Sequence, residues 1–386
     1  MNPTYDVIIA GARSAGAPTA MLAAQAGLRV LVVDRGAAGS DTMSSHNLTR
    51  GAALQLDRWG LLTKVMRGGT PVIRASTFHY AGEAAVTVPI RPLAGGPGML
   101  APRRHRLDAV LVEAAREAGA AFRHNHSVRD VMRDVTGRVT GACIVDASGR
   151  ERGIRAGVVV GADGLRSTVA RRTGSEILAQ EGHCLGHVYG YYSDVGLADN
   201  HGYFARGLSV GVSPTDADLS VVIVSARPTV LRQAIRELGP KGALESLAAA
   251  TDPDLGQRLR SAKLVEGPVV FGGTPGFRRR ASGPGWALAG DAACFKDPIT
   301  SHGMTDAFRD AELLADALVA GDDKALAAYE RSRAEAAADL CALTAEMARF
   351  DQPMSVLKEQ FLRLSRVMRD EQTWMRARFD RMERAA

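Results

Sequence analysis

The sequence predicts an α/β protein: a doubly wound, Rossmann-like domain interrupted by an antiparallel β-sheet and followed by a helical tail. Three observations carry that prediction. First, the apolar run Val7-Ile8-Ile9-Ala10 leads through a glycine-bearing turn into an alanine-rich stretch and a second apolar run, Val30-Leu31-Val32-Val33. Continuously apolar runs of this length suit parallel strands buried on both faces, and together they make one β-α-β unit. Second, two more such runs, Val158-Val159-Val160 and Ala287-Leu288-Ala289, each end in a turn holding Gly and Asp. Third, residues 175–270 differ in texture, with short strand-like pieces separated by Gly, Pro and Asp.

Composition bounds the possibilities. The chain has 386 residues, 46% hydrophobic and 23% charged, as expected of a globular protein with one large or two intermediate cores. Its net charge of +6 is spread out, and short clusters such as Arg278-Arg279-Arg280 and Arg103-Arg104 make no basic arm. Nucleic-acid binding needs basic charge gathered on one face, so no nucleic-acid partner is expected. Cys143, Cys184, Cys294 and Cys341 fall in no CxxC or CxxH spacing, so neither a metal site nor a disulfide framework is indicated. No apolar run approaches the ~20 residues of a membrane span, and no basic, apolar leader precedes the first strand. The expectation is a cytoplasmic monomer or homodimer with reduced thiols.

Taken in order, Ala17 to Ala26 reads as helix stopped by Gly27, and the strand after it ends at Asp34. Arg50 to Leu62 reads as helix, Ser76 to Tyr80 and Ala85 to Val88 as strands, and Leu107 to Ala118 as a helix stopped by Gly119. Residues 121–160 read as strands with turns at Thr136-Gly137 and Ala147-Ser148-Gly149-Arg150. His187 to Tyr192 and Leu219 to Ser225 read as strands, with an amphipathic helix from Val230 to Leu238. A helix from Asp306 to Ala320 follows the last buried strand, and Lys324 to Arg384 is charged and helix-periodic, broken at Pro353. Nucleotide-domain signatures at both ends of the chain make the second domain an insertion.

The first turn, Gly11-Ala12-Arg13-Ser14-Ala15-Gly16, departs from the usual G-x-G-x-x-G because Arg13 holds the middle position. Gly11 can still make the tight turn, and Gly16 can still let the helix pack closely. The helix start still offers N–H groups and a positive dipole to a phosphate. Asp34 ends the second strand, where an acid hydrogen-bonds an adenosine ribose, but Arg35 beside it also suits a 2′-phosphate. Alone, this motif does not separate a flavin from a nicotinamide dinucleotide.

With Gly161-Ala162-Asp163-Gly164-Leu165-Arg166-Ser167 and Gly290-Asp291-Ala292-Ala293, then Asp297-Pro298 and Gly303-Met304, the chain resembles the flavoprotein monooxygenases of the para-hydroxybenzoate hydroxylase type. The stretches Ser45-His46 to Arg50, Trp59-Gly60-Leu61-Leu62 and Lys296 to Thr300 look like a subgroup close to the geranylgeranyl reductases. The resemblance implies a glutathione-reductase-type FAD-binding domain (1–75, 99–174 and 271–322), an inserted antiparallel β-sheet substrate domain (76–98 and 175–270) and C-terminal helices (323–386). It implies that Asp291 holds the ribityl chain, that Pro298, Gly303 and Met304 border the flavin ring, and that Arg104 and Asp163 contact the cofactor. Gly11, Arg13, Ser14, Ala15, Gly16, Asp34 and Arg35 complete the expected FAD site. Cys294 stands where the family often has His, Ser301 where it has Gly, His302 where it has Gln and Thr305 where it has Asn.

A flavin is its own redox centre, so the protein supplies orientation and electrostatics. The expected reaction is NAD(P)H-dependent hydroxylation, by O2 and a flavin C4a-hydroperoxide, of an electron-rich aromatic or polycyclic small molecule, as in secondary metabolism. His302 and His46 are the expected catalytic groups, with Tyr189, Tyr191 and Tyr192 as candidates better suited to sheet packing. Cys294 suits a small filler. The alternative is a reductase or dehydrogenase of the geranylgeranyl reductase type. A flavin-dependent halogenase is disfavoured because Trp59, Trp286 and Trp374 are isolated, without a W-x-W-x-I-P stretch.

Overall fold

The computed structural model describes residues 4–44, 47–92 and 98–385. Its centre is a parallel sheet in which Tyr5–Ala10 lies between Val30–Asp34 and Glu151–Gly161, with Ala121–His124 outside the former and Trp286–Leu288 outside the latter. Ile8, Ile9 and Val32 are fully buried, as an apolar strand covered on both faces should be. The helix Gly16–Gln25 covers one face and packs against Gly303–Ala320. Alanines at positions 17, 20 and 23 let the two approach closely, so the start of the chain meets its distant fourth quarter. Glu151–Gly161 serves two sheets. Its first residues pair antiparallel with Val139–Val145, and its last six join the central sheet.

The second sheet has seven strands, in the order Lys263–Phe271, Gly186–Ser193, Ser220–Ala226, Leu208–Pro214, Asn200–Ala205, Ala75–Tyr80, Val86–Pro89. It is not wholly antiparallel: Asn200–Ala205 runs parallel to Ala75–Tyr80. These two strands are separated by more than a hundred residues of intervening chain, so no hairpin fixes their relative direction. One face of the sheet carries Val188, Tyr192, Val222 and Val224 and packs under Leu231, Leu244 and Ala248 of the helix Pro228–Thr251. That helix runs past Leu238 through a kink, where Gly239 takes φ 71° ahead of Pro240. Proline lacks the N–H and crowds the preceding turn, so a kink is expected there.

The helical stretch predicted from Arg50 to Leu62 is two pieces, Arg50–Arg58 and Leu62–Met66, parted at Gly60 with φ 69°. The tail forms Asp323–Met347 and Met354–Ala385, parted before Pro353. The last helix bridges both layers. Phe361 and Leu364 pack with Phe204 of the second sheet, and Met375 and Phe379 pack with Leu54 beside the nucleotide domain.

Candidate cofactor and substrate site

The glycine turn is set by steric necessity. Gly11 has φ 103°, and a Cβ there would lie 2.2 Å from the Ala162 carbonyl oxygen. A Cβ on Gly16 would lie 1.8 Å from the Gly11 oxygen. Arg13, in the place of the middle glycine, needs no positive φ, and its side chain leaves the turn. Its guanidinium donates to Asp108 at 3.2 Å, Ser40 Oγ at 3.3 Å and the Asp41 carbonyl at 3.2 Å. Arg104 donates to the same Asp108 carboxylate at 3.0 and 3.1 Å. Two arginines thus share one acid beside a helix start, whose free N–H groups and dipole suit a diphosphate. Ser14 points the same way: it is 6% exposed, and its Oγ has no hydrogen-bond partner. Ala15, also buried, begins the helix without a side-chain cap. Asp34 accepts the Ala12 and Gly36 N–H groups at 2.7 Å each, one on each oxygen, which keeps lone pairs for ribose hydroxyls. Arg35 is exposed.

The second glycine–aspartate turn packs directly on the first. Gly290 has φ 59°, and a Cβ there would lie 3.0 Å from the Ala15 Cβ. Its N–H donates to the buried Asp310 at 2.9 Å, itself paired with Arg333 at 2.7 Å. Asp291 sits deep in the molecule, yet the residue is exposed. Depth pushes its carboxyl up to about 6, against the pull of Lys296. Gly303 opens the helix Gly303–Ala320 close by, since a Cβ there would lie 4.0 Å from Asp291 Oδ1. Met304 behind it is buried. Between them Asp297 shapes the loop, accepting Ile299 N–H at 3.0 Å and Leu185 N–H at 2.7 Å, and Pro298 begins a short turn that ends at Ser301 with φ 51°. Asp163 has a local task. It accepts Ser167 Oγ at 2.5 Å and Thr168 N–H at 2.6 Å, which starts the helix Thr168–Thr173.

His302 faces away from this opening. It is 2% exposed, does not border the cavity described below, and places Nε2 2.7 Å from Glu371 Oε2 on the last helix. Arg309 pairs with the same Glu371 and with Asp306 at 2.7 Å, and Lys296 pairs with Asp306. Burial raises Glu371, but His302 and Arg309 outweigh it and hold the carboxyl below its usual range. His302, Asp306 and Glu371 are close enough to ligate a metal, yet Lys296 and Arg309 already neutralise both carboxylates. The expected catalytic histidine thus lies one layer behind the loop, where it ties the loop to the last helix. His46 lies outside the described residues.

The other sequence candidates are also placed. Tyr192 is core on the helix-covered face; Tyr189 accepts the Ser44 N–H at 3.3 Å, and Tyr191 lies under Arg103 at 3.7 Å. Cys294 Sγ is 3.7 Å from Cys341 Sγ.

The uncovered face of the seven-stranded sheet, the Pro298–Ser301 loop and the last helix enclose a cavity of about 810 Å³. Gly202 and Gly211 sit opposite one another in its floor and leave a depression. Around them the floor is polar. Asn200 donates to Ser76 Oγ at 3.1 Å and accepts from Ser213 Oγ at 2.6 Å. His187, 3% exposed, pairs Nδ1 with Ser225 Oγ at 2.8 Å and brings Nε2 to 3.6 Å from Asp297. His187, Glu371 and the cavity residues of the last helix were not singled out from sequence. Strand alternation could have put His187 on a face with Tyr189 and Tyr191, but nothing local marks which face is open.

The residues present fit FAD: a clear glycine cradle, an unpartnered buried hydroxyl at a helix start, and two acids, Asp34 beside that turn and Asp291 on the turn packed against it. Residues 4–264 match the family model described as FAD binding domain, and the chain belongs to that family of FAD-dependent oxidoreductases. Among particular proteins, it is 26% identical over 342 residues to the menaquinone reductase of Mycolicibacterium smegmatis, covering 83% of this chain and 78% of that one. The flavin-dependent brominase Bmp2 shares the fold at a TM-score of 0.78 and 21% identity, over 99% of this chain and all of that one. PqsL, a probable FAD-dependent monooxygenase from Pseudomonas aeruginosa, shares it at 0.74 and 22%, over 94% of this chain and 99% of that one. No helix among the described residues is long and apolar enough to cross a membrane.

Proposed function

We propose that this chain is a single-component, NAD(P)H-using FAD monooxygenase that hydroxylates an electron-rich aromatic or polycyclic small molecule. The observation that carries this reading is the 810 Å³ cavity with a polar floor that opens on the Pro298–Ser301 loop. Its volume suits a multi-ring ligand. When bound, FAD supplies hydride acceptance from the nicotinamide and, once reduced, the activation of O2. The chain's residues do the rest. Ser14 and the helix start at Gly16 hold the diphosphate, Asp34 the adenosine ribose and Asp291 the ribityl chain. The helix start at Gly303 and Met304 would offer N–H groups and a positive dipole to negative charge on the flavin. Ser225 fixes the His187 imidazole through Nδ1 and Asp297 lies beside Nε2, so this pair holds the polar floor in place under the substrate. His302 holds the loop through Glu371 rather than touching the substrate. The nicotinamide approaches from the exposed side near Arg166, beyond Asp163, without a second nucleotide fold.

A reductase reading has its own support, the menaquinone reductase relative, whose likeness extends along most of the chain. One assay separates the two. With NAD(P)H and a panel of phenols and polycycles, the monooxygenase consumes O2 and reductant one to one and adds one oxygen atom to the product. Saturation of a double bond with no O2 uptake sinks the monooxygenase reading and selects the reductase.

A further inference from the structure

Among the described residues the cavity wall holds three arginines, Arg50, Arg91 and Arg369, and neither Asp nor Glu. Elsewhere the buried arginines are matched: Arg104 by Asp108, Arg309 by Asp306 and Glu371, Arg333 by Asp310. Arg50 and Arg369 have no ion pair or hydrogen-bonding acceptor for their guanidinium groups among the described residues. Arg50 is half-buried and close enough to Arg369 that burial, and then this second cation, pull its pKa down. Arg50 is half-buried and Arg369 exposed at the cavity wall, so an anion entering between them gains charge-assisted hydrogen bonds from both and relieves their repulsion.

The surroundings are those of an anion site. Arg50 is the first residue of the helix Arg50–Arg58, and Thr49 before it makes no side-chain cap, because its hydroxyl is engaged with Thr305 at 2.8 Å. The helix N-terminus therefore adds its partial positive charge at the same end of the cavity. On the last helix, Gln372 lies one turn beyond Arg369 on the same face. It is 4% exposed and borders the cavity, and its side-chain NH2 is a donor that an anion can accept from. The rings of Phe204 on the sheet and Phe361, earlier on the last helix, pack at 4.9 Å and give part of the wall an apolar, aromatic surface.

We propose that the substrate of this cavity carries a carboxylate or phosphate, held between Arg50 and Arg369 with Gln372 beside them, while its apolar body lies toward Phe204 and Phe361. This rests on the cavity being the substrate site, as proposed above. It also makes the last helix part of substrate recognition, because Arg369 and Gln372 come from it and Arg50 from the nucleotide-domain side.

The test uses the FAD-loaded protein and three probes of one shape: naphthoate, naphthyl phosphate and the neutral naphthyl methyl ether. Binding is read from perturbation of the flavin absorbance and from the rise in Tm, neither of which needs turnover. At least one anionic probe should bind roughly tenfold or more tightly than the ether, as expected for charge-assisted pairing. The stronger of the two anions identifies carboxylate or phosphate. Arg50→Gln and Arg369→Gln should each remove that preference while keeping flavin occupancy and fold, and Arg→Lys at either position should restore part of it. Equal binding of all three probes, or an anion preference that survives both Gln variants, overturns the proposal. O2 uptake is scored separately. An anion preference without oxygenation leaves this assignment standing and defeats the monooxygenase reading; oxygenation of a neutral substrate without the preference does the reverse.

Discussion

The glycine-turn cradle and the cavity over the second sheet are built by different means. The cradle is mostly main chain. Its turn, helix start and ribose acid come from one β-α-β unit between Gly11 and Asp34, and each position is dictated by a close approach or a backbone hydrogen bond. The cavity is side chain, gathered from strands of the second sheet, the 298–301 loop, the start of Arg50–Arg58 and the last helix. A site made of backbone tolerates little; a site made of side chains can change its ligand without changing the fold. The two meet at one loop, whose far side is anchored by the buried ion pairs of Lys296, Asp306, Arg309 and Glu371.

The sharpest break of this contrast pairs two glycines. Gly16→Val places carbon against a main-chain oxygen that cannot step aside, and should cost about 3 kcal/mol or more and abolish FAD retention. Gly202→Ala meets side-chain ring atoms and no main chain, Phe204 at 2.9 Å and Phe78 at 3.8 Å, and should fold, keep FAD and shrink the cavity. Thermal melts and flavin content check both, and equal damage at the two positions would erase the distinction.

Next in size is Glu371→Gln. Removing the charge opposite the buried Arg309 should cost about 3–5 kcal/mol, read as a fall in Tm. The sign with pH follows. The folded Glu371 carboxyl is held below its unfolded value of about 4.5, so its stabilisation is present above that value and is lost as pH falls through the folded one. The parent should therefore lose more stability on acidification than the variant; identical acid profiles would count against the ion-pair account.

Smaller effects sharpen the cradle itself. Asp291→Ala should weaken FAD by about 1.5–3 kcal/mol, the scale of a charge-assisted hydrogen bond. Asp291 ionises near 6, so FAD release should increase as pH drops below that value, when the stronger, charged acceptor is lost. Asp291→Asn should flatten the dependence, and flavin fluorescence on dilution reads both. Cys294→Ser should leave FAD retention nearly unchanged, because its thiol faces Cys341. A loss matching that of Asp291→Ala would mean that the thiol, not the acid, lies against the cofactor.

The same division explains what could be read from the chain. Apolar runs such as Val7-Ile8-Ile9 and the glycines at 11 and 16 announce a nucleotide fold because local sterics leave few other uses for them. Arg13 looked like damage to the motif, and only the long-range partner Asp108 shows where its charge goes. His302 looked catalytic from its place in the loop. Its orientation depends on Glu371, 69 positions later on a helix whose docking is not written in local periodicity. The parallel pairing of Ala75–Tyr80 with Asn200–Ala205 was equally hidden, since no turn links the two strands. Arg50 and Arg369 are unremarkable surface-type residues in sequence and become informative only as unmatched neighbours.

FAD should lie along the cradle with its ring at the Pro298–Gly303 loop, opening into the cavity. A crystal structure of the FAD complex tests it most directly. The account predicts the adenosine ribose on Asp34, the diphosphate over Ser14 and the helix start, the ribityl chain on Asp291, and the ring bordering the cavity with His302 still turned to Glu371. A flavin ring directed away from that loop, or a diphosphate that avoids the Gly11–Gly16 turn, would contradict it.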